Sequence, residues 1–85
     1  MQRAAGREGS VAAVRRLVRR GADVNGRNGE DGSTALHVAA EDGQVEVVKA
    51  LVGLGADVHA QTQGGATAVY IAAHEGQVEV VKALV

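Results

Sequence analysis

Apolar side chains recur at helical spacing in two segments of the chain. In each segment three valines lie at i, i+3 and i+7, which places them on one face of an α-helix. These apolar stripes are Val45, Val48 and Val52 in one segment and Val78, Val81 and Val85 in the other. Val47 and Leu51 lie beside the first stripe. The pattern predicts two amphipathic helices with a buried apolar face.

A shorter helical segment over 35–42 precedes the first stripe. Thr34 has a hydroxyl suited to an N-cap, and Gly43 tolerates the left-handed conformation that ends many helices. Gly55 suits the position after the end of the second helix, and the polar loop 60–66 contains two adjacent glycines and should fold back as a hairpin. The sequence therefore predicts a unit of two antiparallel helices followed by a loop.

The chain repeats itself after 33 residues. Residues 34–52 read TALHVAAEDGQVEVVKALV, and residues 67–85 read TAVYIAAHEGQVEVVKALV. A fixed period of this size is typical of a solenoid, in which stacked units bury one another's apolar faces. A degenerate first copy is found at an offset of 34 residues. We predict a single domain of three units: a degenerate first unit (1–28), a complete middle unit (29–61) and a truncated third unit (62–85).

The middle unit resembles the ankyrin repeat family, whose pattern is Gly-x-Thr-Pro-Leu-His-x-Ala-Ala-x-x-Gly, then an apolar helix and Gly-Ala-Asp-x-Asn. The matching residues are Gly32, Thr34, Leu36, His37, Ala39, Ala40, Gly43, Val47, Val48, Leu51, Gly55, Ala56, Asp57 and Val58. The resemblance implies an all-α solenoid of stacked antiparallel helix pairs with hairpin-like loops. It implies structural roles for Thr34, His37, Gly43, Gly55, Thr67 and Gly76, with His37 bracing its loop through a hydrogen bond to Thr34.

Several positions depart from the family pattern. Alanine replaces the proline that usually opens the first helix, and Tyr70 occupies the histidine position of the third unit. Gln2 and Arg3 fill the slots of Leu36 and His37, which suggests an N-terminal cap with a solvent-facing helix. The end at Val85, before any Gly-Ala-Asp turn, predicts that the chain is part of a longer array. About two and a half units also predict a marginal fold.

Composition excludes several classes of protein and function. The 85 residues contain no cysteine and carry a net charge of −1, so disulfides are excluded and general binding of polyanions is disfavoured. The sequence has neither an apolar run long enough for a membrane span nor the apolar stretch of a signal peptide. We expect a cytoplasmic or nuclear location.

The residues that could carry chemistry are scattered. His37, His59 and His74 share no spacing typical of metal ligands, and no nucleophile is paired with a base. The glycines near 29–32 and 64–65 lack the strand and the Gly-Lys-Ser/Thr ending of a phosphate-binding loop, so we interpret them as turn residues. We therefore expect no catalysis, metal or cofactor, and exposed positions for His59 and His74.

The family resemblance places partner contacts on a concave face formed by hairpin tips and first helices. Its variable contact positions map onto Arg7, Glu8, Arg27, Glu30, Asp31, Ser33, Glu41, Asp42, Gln61, Gln63, Ala66, His74 and Glu75. Four of these positions in the middle unit are acidic, so we expect a protein partner with a basic segment. This face is expected to lack exposed aromatic residues and therefore to bind weakly on its own.

Three alternatives remain open from the sequence. Arg15, Arg16, Arg19 and Arg20 stack as i, i+4 neighbours and are a candidate contact for an anionic partner such as nucleic acid, phosphate or lipid. The second alternative is that the domain serves as a structural spacer in a longer repeat array. The resemblance also makes Asn25 a candidate for hydroxylation.

Overall fold

The described part of the chain forms five α-helices in the computed structural model. The structure describes the backbone of residues 2–27 and 29–85, with side chains from residue 11 onward. The helices are α1 (Gln2–Arg19), α2 (Ala35–Asp42), α3 (Val45–Gly53), α4 (Ala68–His74) and α5 (Val78–Leu84). The pairs α2–α3 and α4–α5 are 33 residues apart, as the repeat predicts.

The end groups of α2 follow the predicted capping chemistry. The Thr34 hydroxyl accepts a hydrogen bond from the backbone N–H of His37 (3.4 Å), which satisfies an N–H that has no partner within the helix. Gly43 ends the helix with φ = 71°, a left-handed conformation that is costly for residues with a Cβ. In the third unit Thr67 caps α4 in the same way by accepting from the N–H of Tyr70 (3.2 Å).

The first unit differs from the predicted helix pair because its helical residues form the single helix α1. Gly9 occupies the position of Gly43 but lies inside this helix. In the sequence, Gln2 and Arg3 stand at the positions of Leu36 and His37, so this segment lacks the leucine and the histidine that are buried at the start of α2. The helix continues through the position of the expected turn.

The buried face of α3 and α5 is rotated from the predicted valine stripe. Val48 is fully buried and Val45 packs at the edge of the core, but Val52 and Val78 are 38% and 60% exposed and Val85 is 90% exposed. The buried side chains of these two helices are Val47, Val48, Ala50, Leu51 and Val80. The stripe prediction was thus wrong for half of its members, because the residues beside it face the neighbouring helices.

The helices stack in two layers. α3 packs against both α1 and α5, whereas α2 packs against α4 as well as against its partner α3. The core between the layers is small, since its largest fully buried side chains are Leu36, Leu51, Val48 and Val80. The loops after α1 and α3 lead into α2 and α4, and together they position the site described next.

Candidate functional site

The loops that precede α2 and α4 are bonded to each other side by side. The backbone N–H of Gln63 donates to the carbonyl of Asp31 (2.8 Å), and the Arg27 guanidinium donates to the carbonyls of Gly32 (2.9 Å) and Gln61 (2.6 Å). The second loop also turns back on itself, as predicted, because the N–H of Thr62 donates to the carbonyl of Ala66 (2.9 Å). The two loop tips therefore form one continuous surface.

His37 fastens this surface to α2, which confirms its predicted bond to Thr34. Its Nδ1 accepts from the Thr34 backbone N–H (2.9 Å), and the Thr34 hydroxyl lies equally close. Nε2 lies 3.0 Å from the carbonyl of Ala60 and 3.1 Å from that of Ala66. Because both carbonyls only accept, we assign the ring proton to Nε2. His37 thus braces the next unit's loop as well as its own.

A groove of about 270 Å³ lies between the loop tips and the exposed sides of α2 and α4. Five of the predicted contact residues line it, namely Asp31, Ser33, Glu41, His74 and Glu75. His37, Thr62, Tyr70 and Ile71 complete the lining but were not among the predicted contacts. The structure therefore gathers residues from two units around a single concavity.

The groove is acidic. Asp31, Glu41 and Glu75 contribute three carboxylates, and none of the described residues that line the groove is a lysine or arginine. Hydrogen bonds from Ser33 hold the pKa of the Asp31 carboxyl below its ordinary value. The larger effect comes from the Ser33 hydroxyl, and the second from the Ser33 backbone N–H, whose nitrogen lies 3.1 Å from Oδ1 of Asp31. Asp31 therefore remains charged at neutral pH. His74 lies beside Glu75, with Nδ1 3.4 Å from the nearer carboxylate oxygen.

Tyr70 corrects the expectation that this face lacks exposed aromatic residues. Its side chain is 61% exposed, and its ring stacks on that of His74 with 6.3 Å between the centroids and 29° between the planes. His37, at the equivalent position, is buried because the loop 60–66 covers it. The sequence placed Tyr70 in a histidine slot but did not show that its ring is uncovered.

The other predicted contacts have mixed environments. Glu30 and Asp42 are exposed but do not line the groove, while Gln61 and Gln63 are exposed on the second loop and Ala66 is half-buried. Arg27 is exposed, and its guanidinium is bonded to loop carbonyls. The side chains of Arg7 and Glu8 lie outside the described part of the structure. The contact role of all these residues stays a prediction.

Two further hydrogen-bonded links join successive units. The Asn25 amide donates to the carbonyl of Gly55 (3.2 Å) and accepts from the N–H of Asp57 (2.6 Å). The Gln77 amide donates to the carbonyl of Glu41 (3.0 Å). These bonds join residues that are 30 or more positions apart. The family's asparagine position was a signal for the first link, whereas no feature of the sequence pointed to the second.

Three of the four arginines of the alternative site lie in the last turns of α1, and Arg20 directly follows the helix. Arg15, Arg16, Arg19 and Arg20 are all exposed. None forms an ion pair with another side chain that the structure describes. These arginines come from one short segment at the end of α1, in contrast to the groove, which combines two loops and two helices.

The described part of the chain offers no metal site and no membrane-spanning helix. Its His, Asp and Glu residues nowhere form a group of three or more able to hold a metal ion. None of its helices combines the length and the apolar character needed to cross a membrane. His59 and His74 are exposed, as the sequence predicted.

Comparison with known proteins supports the repeat assignment. The family profile described as ankyrin repeats (3 copies) matches residues 1–85. A search of curated proteins found no match. The family match therefore covers all three predicted units, including the degenerate first one.

Proposed function

Because the chain belongs to the ankyrin repeat family, we propose that it binds a basic segment of a partner protein in the groove between its loop tips and helices. Members of this family are generally protein–protein interaction modules and are typically non-enzymatic. The observation that carries this proposal is the gathering of Asp31, Glu41 and Glu75 around one concavity. The role is binding without catalysis.

The form of the groove supports a protein segment as the ligand. It runs along two units, and its walls include the backbone-bonded loops together with α2 and α4. Loops held by hydrogen bonds lose little conformational entropy on binding, which favours recognition. Opposite charge on the partner would accelerate encounter and fix its orientation. A cytoplasmic or nuclear location is part of the proposal and is compatible with the lack of cysteine.

The test is a titration of ¹⁵N-labelled protein with an acetylated peptide of three Gly-Lys repeats at low ionic strength, followed by NMR. We expect shifts that saturate and that concentrate at the groove. In the groove variant, Asp31→Asn, Glu41→Gln and Glu75→Gln remove three negative charges. Since exposed charge pairs contribute about 0.2–1 kcal/mol each, we expect the affinity to fall about tenfold.

A matched control removes the same charge outside the groove. Glu46→Gln, Glu79→Gln and Asp57→Asn also change three exposed carboxylates to amides. Each triple variant contains one aspartate that accepts a backbone N–H two residues on, which an asparagine can still do. The control should retain most of the affinity. Equal losses in both variants, or shifts spread over the whole surface, would refute binding in the groove.

A further inference from the structure

Tyr70 gives the groove a feature that charge alone does not explain. The ring is 61% exposed on α4 and borders the same concavity as the carboxylates of Asp31, Glu41 and Glu75. Its hydroxyl forms no hydrogen bond with the described residues, and its backbone N–H serves the cap at Thr67. The ring is therefore a free aromatic surface inside an acidic groove.

His74 limits the orientation of this ring. The two residues are four positions apart on α4, so they lie one above the other on the same face of the helix. Their rings stack at a centroid distance of 6.3 Å, and the imidazole is next to the Glu75 carboxylate. An aromatic ring held in this way loses little freedom when a ligand packs on it.

We infer that the groove contains a subsite for an arginine side chain of the partner segment, with the guanidinium stacked on Tyr70 and paired with the groove carboxylates. This inference rests on the proposed function, because it names the side chain that the basic segment presents at Tyr70. A guanidinium combines a flat, weakly hydrated surface with five donors in a fixed plane. It can therefore stack on a ring while its edge donates to a carboxylate.

Lysine fits this combination less well. Its ammonium is a compact, strongly hydrated charge that presents no flat surface to a ring. The lysine ammonium is attracted by the carboxylates, but it can neither stack on the Tyr70 ring nor donate two parallel hydrogen bonds to one carboxylate. The subsite should consequently discriminate between two side chains of equal charge, which distinguishes it from general acidity of the groove.

The experiment compares two acetylated peptides of equal charge and length, one of three Gly-Arg repeats and the other of three Gly-Lys repeats. Both are titrated by NMR into the parent chain, Tyr70→Leu and Tyr70→Phe. We expect the arginine peptide to bind about two- to fivefold more tightly than the lysine peptide, which is the range of an exposed cation–π contact. Tyr70→Leu should abolish this preference, whereas Tyr70→Phe should retain it because the ring remains.

Each other outcome overturns the inference. Equal binding of both peptides to the parent, with no effect of Tyr70→Leu, would remove the arginine subsite and leave the proposed basic-segment function standing. Loss of the preference in Tyr70→Phe as well would assign the contact to the hydroxyl and not to the ring. Binding of neither peptide would overturn both the subsite and the proposed function. The far-UV circular dichroism spectra of the variants should match that of the parent, as expected when an exposed side chain is replaced.

Discussion

At the scale of single residues, His37 is the side chain that joins two units most directly. It is 2% exposed and connects the start of α2 with the carbonyls of Ala60 and Ala66 in the next loop. Replacing it with alanine leaves these carbonyls and the Thr34 N–H without their partner. Since a buried polar group that loses its partner costs about 1–3 kcal/mol, we expect His37→Ala to lower the free energy of unfolding by about 2–3 kcal/mol in urea titrations.

The matched control for this prediction is His59→Ala. His59 is exposed, and its local hydrogen bond uses the backbone N–H, which donates to Asp57. Removing its side chain should change stability by less than about 0.5 kcal/mol. Similar losses in the two variants would show that His37 is not the brace between the loops.

The same residues show what the sequence can and cannot predict at this scale. The Thr34–His37 bond spans three positions within one unit, so a local motif is enough to predict it. The exposure of Tyr70 and the bonds of Asn25 and Gln77 depend on how successive units are placed against each other. The partners of Asn25 and Gln77 lie 30 or more positions away. The family's asparagine position marks Asn25, but no local motif shows which atoms it contacts, what Gln77 binds or whether the Tyr70 ring is covered.

At the scale of elements, α1 is the part of the fold that the repeat pattern predicts least well. The spacing of the repeat places Gly9 where Gly43 ends α2, yet α1 continues through Gly9. A glycine within a helix destabilises it by about 0.5–1 kcal/mol relative to alanine. We therefore expect Gly9→Ala to stabilise the protein by about this amount in urea titrations, because the helical backbone accepts a Cβ without strain.

Gly43 and Gly76, which follow α2 and α4, provide the comparison. Gly43 and Gly76 have φ values of 71° and 73°, so alanine at either position should destabilise by about 1–2 kcal/mol. A Cβ on Gly43 would also push aside the amide end of Gln77, which donates to the carbonyl of Glu41, so this bond between units would be lost; a Cβ on Gly76 meets open space. Gly43→Ala should thus be the more harmful of the two. A loss of stability in Gly9→Ala would instead indicate a left-handed turn and two helices in the first unit.

At the scale of the whole molecule, the core is continuous from α1 to α5. Val11 and Val14 of α1 pack against the same cluster that contains Leu51 of α3 and Val80 of α5. Much of the rest of this cluster is alanine, which buries little apolar surface per residue. Such a core supports the predicted marginal fold and gives each unit little stability apart from its neighbours.

A continuous core of this size predicts that the three units unfold together. Tyr70 is the one aromatic residue of the chain, so its fluorescence reports on the third unit, while far-UV circular dichroism reports on all helices. We expect the two thermal transitions to coincide, as they do in two-state unfolding.

Val80→Ala removes fully buried carbons and should lower both midpoints together by about 10 °C, given a loss on the order of 2 kcal/mol. Val78→Ala, at a 60% exposed position of the same helix, should leave both nearly unchanged. An earlier transition of the Tyr70 signal, in the parent or in Val80→Ala alone, would contradict this prediction, because it would mean that α4 and α5 unfold as a separate unit.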